Sequence, residues 1–177
     1  MAIDGKHVEL QCSENTGSSF FNYKEIYSII LLAVVDANYL FKYAHFGLQG
    51  EICDGGLFLH SAFYNALTSG VLNVPEPSVL PGNDTLVPYV LVADDAFPLT
   101  SYLINPYAGE VPKGSQERVF NHRLSLVRRI VENAFRLLAS VFRIFRKPHI
   151  VKPSTAEGIT LEGVYLHSFL RRNSAAK

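Results

Sequence analysis

The chain has 177 residues, 48% of them hydrophobic, with sixteen Lys and Arg balancing sixteen Asp and Glu. That length and apolar content suit one domain with a sizeable core, and exclude a disordered or fibrous chain. The neutral total hides a split: three Lys/Arg stand against twelve Asp/Glu up to Glu110, and thirteen against four from Val111 onward. An acidic half joined to a basic half points to nucleic-acid contact, to cations held by carboxylates, or to a solvated basic helix on an acidic sheet.

Residues 2–3 and 7–10 flank Asp4-Gly5 and read as a short first strand. Residues 27–35 are β-branched and aliphatic, and residues 40–46 follow closely, so Asp36-Ala-Asn38 is predicted as a hairpin turn. Gly47 and Gly50 are expected to close that hairpin, and Asp54-Gly-Gly56 to open a helix reaching Leu67. Residues 69–84, with Pro75, Pro77, Pro81 and Gly82, read as a loop. Residues 87–93 form a continuous apolar run, the mark of a buried strand, which stops at Asp94-Asp95. Residues 96–104 read as a short helix or turn. The clearest helix spans residues 114–147, where Leu124, Val127, Val131, Ala134, Leu138, Phe142 and Phe145 recur at steps of three and four. Pro148 ends it. Residues 162–170 predict a final short helix, and Arg171-Arg172 a polar tail over 171–177. This order gives an α/β domain over residues 1–170: a mixed sheet with a three-strand meander, flanked by helices.

Cys12 and Cys53 make neither a disulfide framework nor a zinc pattern, and fit a reducing compartment. The first residues lack the apolar core of a secretory signal, and Ile29-Ile-Leu-Leu-Ala-Val-Val35 is too short to span a bilayer. The expectation is a nuclear or cytoplasmic protein with no membrane partner.

The carboxylates carry the chemistry. Two-metal phosphodiester hydrolysis or transfer needs three or four acids, from separate elements, converging at the end of a sheet. The candidates are Asp4, Asp36, Asp54, Asp94, Asp95 and Glu132. Each has a plainer reading. Asp4-Gly5 and Asp36-Ala-Asn38 could be turns, and Asp54 and Asp95 helix caps. Glu132 could pair with Arg128 and Arg136, four residues away on either side. Two features favour chemistry. Asp94 ends the most apolar strand, where an acid is costly without a partner. Glu132 is the lone acid among seven cations between Arg123 and Lys147, on a helix dressed to meet phosphate.

An ordered set of motifs then carries a resemblance. Ile3-Asp-Gly-Lys-His-Val8, Asn22-Tyr-Lys24, Val34-Val-Asp-Ala-Asn-Tyr39, Ile52-Cys-Asp-Gly-Gly56, Val92-Ala-Asp-Asp-Ala-Phe-Pro98, Arg129-Ile-Val-Glu-Asn-Ala-Phe135 and Leu166-His167 occur in sequence. They resemble the DDE endonuclease domain of PIF/Harbinger transposases and of the Harbinger transposase-derived nuclease, from about residue 3 to residue 170. The resemblance implies an RNase H-like fold and a magnesium- or manganese-dependent DNA endonuclease. By position it assigns Asp4, Asp94 and Glu132 as the catalytic and metal-binding acids, and Asp54 as a further metal ligand. Asp36 is the alternative first acid. Lys6, Arg128, Arg129 and Arg136 are candidate contacts to the DNA backbone. His7 and His167 read as packing or hydrogen-bonding residues, and Phe20-Phe-Asn-Tyr23 as packing or as a base-stacking platform.

The sequence departs from the family pattern in three ways. No helix-turn-helix precedes Asp4, Arg136 stands where the family usually has Gly, and Ser168 where it usually has Asn. The alternative expectation is therefore an inactive, domesticated or truncated DNA- or chromatin-interaction protein, similar to plant transposase-derived antagonists of heterochromatin factors. A Myb-like partner protein is implied by the resemblance alone.

Overall fold

A computed structural model describes residues 1–11, 20–22, 25–47 and 54–174. Cys12, Cys53, Gly50, Tyr23 and Lys24 lie outside these residues.

Three strands form an antiparallel meander: β1 (Ala2–Glu9), β2 (Ser28–Val35) and β3 (Phe41–Gly47). Two short helices follow, α1 (Asp54–Leu59) and α2 (Ala62–Thr68). A small hairpin, β4 (Ser78–Val79) with β5 (Leu86–Val87), precedes β6 (Leu91–Val92) and β7 (Leu103–Ile104). The long helix α3 (Gln116–Val141), a 3-10 turn (Arg143–Arg146) and α4 (Pro153–Ser174) complete the domain. The main sheet has the order β3-β2-β1-β6-β7, with β6 and β7 running parallel to β1. The expected mixed α/β sheet with its three-strand meander is present. Among the described residues no helix is long and apolar enough to cross a membrane.

Every residue of β2 is buried, because both faces of the sheet are covered. Ile29, Leu31, Ala33 and Val35 join Ala2 and Val8 under Val131, Ala134, Phe135 and Leu138 of α3 and Ala156 and Val164 of α4. Ile30, Leu32 and Val34 join Ile3 on the other face, against Leu57, Phe58, Leu67, Phe97 and Leu103. Strand side chains alternate between faces, so Asp4 and Lys6, in step with Ala2 and Val8, sit on the α3 face.

Several elements differ from the sequence expectation. Asp4-Gly5 is no turn; it lies within one continuous strand. The single helix expected from Asp54 breaks at Ser61, whose hydroxyl accepts from the Tyr64 N–H at 3.1 Å and donates to the Phe58 carbonyl at 2.7 Å, capping α2. Residues 96–104 contain the parallel strand β7 where a helix or turn was expected, and the 69–84 loop contains β4. Helix α3 stops at Val141 rather than at Lys147. Phe145 then packs where a side chain on Gly163 of α4 would stand. Helix α4 begins at Pro153, well before residue 162, and runs through Arg171 and Arg172, which are helical rather than a polar tail.

Two parallel contacts frame the outer edge of β1. Near its start the Val92 N–H donates to the Met1 carbonyl at 3.1 Å, with Ala2 opposite Val92. Past its end, Leu10 bridges to His149. Between them the edge of β1 fronts a groove.

Candidate active site

The parallel register that sets Ala2 beside Val92 brings Asp4 and Asp94, each two residues further on, level with one another, Asp4 near the start of β1 and Asp94 just past the end of β6. Both face α3, whose Arg128 reaches back: its Nη2 donates to Asp94 Oδ2 at 3.3 Å. Asp94 Oδ1 accepts from the Ala96 N–H at 3.1 Å, so Asp94, rather than Asp95, anchors the turn after β6. Asp95 is exposed.

Asp54 approaches from the opposite face. It is the first residue of α1, and its carboxylate occupies the space a side chain on Gly5 would need. Gly55 is tied in the same way, since a Cβ there would run into the Ala96 carbonyl. The glycines of Asp4-Gly5 and Asp54-Gly55 are thus required by close approach: they bring α1, β1 and the loop after Asp94 together.

This packing acts on Asp4. Burial, and next the Asp94 carboxylate, push the Asp4 carboxyl up to about 7; Asp54 adds to the rise, while the Gly5 N–H (2.9 Å) and Arg128 oppose it. Desolvation and like charge both disfavour the carboxylate form.

Glu132 lies on α3 and lines, with Asp4, Lys6, Phe135 and Arg136, an open groove of about 490 Å³. Its carboxylate stands 3.9 Å from the exposed Arg136 guanidinium in an i,i+4 pair. Asp94 and Asp54 do not line that groove. The structure therefore groups Asp4, Asp54 and Asp94 electrostatically and sets Glu132 across the groove from Asp4. Among the described residues, no three His, Cys, Asp or Glu side chains are arranged to hold a metal ion.

Asp36, the alternative first acid, lies beyond the start of β1, in the turn between β2 and β3 that follows the Ala2–Val35 pair. Its Oδ1 accepts from the N–H groups of Asn38 (2.9 Å) and Leu40 (3.0 Å), and its Oδ2 pairs with Lys42 at 3.1 Å. Burial alone would raise its carboxyl, but the Leu40 N–H, Lys42 and the Asn38 N–H outweigh that and hold it below the usual carboxylate range. It performs the turn role.

Of the basic candidates, Arg128 is engaged by Asp94, and Lys6 sits over the Phe135 ring with its Nζ 5.9 Å from the centroid. Arg129 and Arg136 are exposed. His167 is buried and its Nε2 lies 3.0 Å from the Tyr39 carbonyl, donating to it from α4. His7 Nδ1 contacts the Ser28 hydroxyl at 2.8 Å. Phe20 packs on the core and Phe21 meets the Tyr27 ring edge-on, so these aromatics are packing residues.

Residues 3–167 match the family model of the DDE superfamily endonucleases, bearing out the resemblance carried by the ordered motifs. The curated Protein ALP1-like of Arabidopsis thaliana is 29% identical over 145 residues, covering 81% of this chain and 35% of that protein. The chain thus spans about a third of the length of the relative it matches. No solved structure matches it.

Proposed function

This chain belongs to the DDE superfamily endonucleases, and from that premise we propose that it is a divalent-metal-dependent DNA endonuclease of Harbinger-type transposase descent. The observation that carries the reading is the crowding at Asp4, whose carboxyl is pushed up to about 7 by burial and by Asp94 and Asp54. Folding concentrates negative charge here and leaves it only partly offset by Arg128. A divalent cation would relieve it, and carboxylate oxygens are the hard donors that magnesium or manganese take. An acid on the first strand, one after the strand parallel to it and one on a later helix is the order of an RNase H-like nuclease.

In this reading Asp4 and Asp94 hold the metal, Asp54 supports them from the opposite face, and Glu132 completes the set. A metal held there would supply Lewis-acid activation of water or of a DNA 3′-hydroxyl for in-line attack on phosphorus, with hydrolysis or strand transfer as the outcome. Glu132 can turn toward Asp4 at low cost, because an exposed pair at 3.9 Å is worth at most a few tenths of a kcal/mol. Asp94 must loosen a shorter, half-buried pair with Arg128. Arg129 and Arg136 then hold the DNA backbone without reading its sequence. A nuclear location and a Myb-like partner belong to the same proposal.

The Arg128–Asp94 pair also favours a second reading, in which Arg128 replaces the cation permanently and the fold serves as a DNA- or chromatin-binding module. Plasmid cleavage with magnesium or manganese, compared between the parent and Asp94→Asn, separates the two. Cleavage by the parent alone supports the nuclease. No cleavage by the parent, with unchanged DNA binding in Asp94→Asn, supports the module.

A further inference from the structure

The groove along β1 leads from Asp4 toward a second, smaller cavity of about 90 Å³. Its walls include Lys6, Glu9, Arg146, Lys147 and His149. Lys6 and Glu9 line the larger groove as well, so the two cavities share the wall of β1. The lining includes three permanent cations, Lys6, Arg146 and Lys147, and one carboxylate, Glu9, the reverse of the balance around Asp4.

The pocket is built in advance. Arg146 donates from Nε to the Ala139 carbonyl and from Nη2 to the Ser140 carbonyl, both at 2.9 Å. These bonds pin the guanidinium at the end of α3 and leave part of its five-donor fork to spare. The His149 backbone is tied to the strand, its N–H donating to the Glu9 carbonyl at 2.9 Å and its carbonyl accepting from the Gln11 N–H at 2.8 Å. The His149 ring is buried, and its Nε2 has no hydrogen-bond partner among the described residues. Burial also holds that ring below the usual histidine pKa.

We infer that this pocket seats a backbone phosphate of the DNA strand that enters the carboxylate groove, an inference that rests on the nuclease reading above. Strand residues advance about 3.3 Å each, so Lys6 to Glu9 lie about 7–17 Å along β1 from Asp4. The seated phosphate is therefore within a few nucleotides of the one under attack. Its contacts are charge-assisted and position the strand without reading it.

The test measures binding of a short fluorescent single-stranded oligonucleotide to the whole chain in EDTA, where no cleavage intrudes. Lys147→Glu, at an exposed side chain, is expected to weaken binding about tenfold and to lower the salt slope by about one. Lys147→Gln should do the same to a smaller degree, and thermal melts of both check the fold. Arg172→Glu makes the same charge change at the end of α4, near the β2–β3 turn, and should alter binding less than about twofold. The His149 ring resonances should shift on adding the oligonucleotide, and inorganic phosphate should reproduce the shift only at far higher concentration. Equal weakening by Lys147→Glu and Arg172→Glu overturns the inference. So does a His149 ring that fails to respond to the oligonucleotide, or that responds to free phosphate alone. Loss of the pocket effect with Asp94-dependent cleavage intact refutes this inference only; pocket binding without any cleavage refutes the nuclease reading only.

Discussion

Two aspartates near the start of β1 show how differently the fold treats the same side chain. In the turn beyond that start, Asp36 has two backbone N–H donors and Lys42, and its carboxyl is held below the ordinary range. Within the strand, Asp4 has one N–H donor, two neighbouring carboxylates only partly offset by Arg128, and a buried setting, and its carboxyl rises to about 7. A turn acid is satisfied by its own hairpin. Asp4 is crowded by like charge that Arg128 opposes only in part. The contrast makes Asp4, rather than Asp36, the candidate for chemistry.

The comparison breaks most visibly in activity. Asp94→Asn or Asp4→Asn should lower metal-dependent cleavage on the order of 100-fold or more, since even outer partners of metal ligands cost 10–100-fold. Asp36→Asn keeps the turn acceptor and should retain most of the rate. Plasmid nicking assays on the three variants check this.

Stability should move in opposite directions at the two aspartates. With Asp4 at about 7 in the fold and near 3.8 when unfolded, the native state binds the extra proton between those values. Its contribution is full below pH 4 and is lost as pH rises through 7. Asp4→Asn removes that loss and should raise stability at pH 8 by roughly 2–4 kcal/mol. Asp36 has the opposite sign: its contribution is present above the ordinary carboxylate range and is lost as pH falls through its depressed pKa. Asp36→Ala should cost about 1–2 kcal/mol at neutral pH. Urea melts of both variants at pH 5 and pH 8 measure the difference.

Smaller changes sharpen the picture. Gly5→Ala should displace the Asp54 carboxylate, lower the Asp4 pKa and cost about 1–3 kcal/mol, because the added Cβ would overlap the carboxyl carbon of a short side chain. Arg136→Ala should change stability by less than about 0.5 kcal/mol, since its pair with Glu132 is exposed. A larger loss in the melting curve would mean that Glu132 is committed to its helix and unavailable to the groove.

Asp4 and Asp54 stood out as candidates because glycine follows each in a compact motif, whereas Asp94 and Glu132 have no glycine beside them. The meander was legible from the aliphatic runs, and α3 from its periodic apolar face. The meaning of Gly5 and Gly55 was not, because each answers to a residue far away in the chain. Strand β7 is two residues long, too short for periodicity to show. The break at Phe142 was hidden, since Phe142 and Phe145 continue the helical spacing. The start of α4 did leave a signal: Pro153 at the first helical position. The engagement of Arg128 by Asp94 had no signal, as it depends on the parallel register of β6.

The most direct test of the account is the carboxyl carbon resonance of Asp4, followed by NMR through a pH titration with and without magnesium. The account predicts a midpoint near 7 in metal-free protein, a fall toward the ordinary carboxylate range in Asp94→Asn, and a fall of at least that size when magnesium is added to the parent. A midpoint near 4 in metal-free protein, unmoved by magnesium, would contradict it.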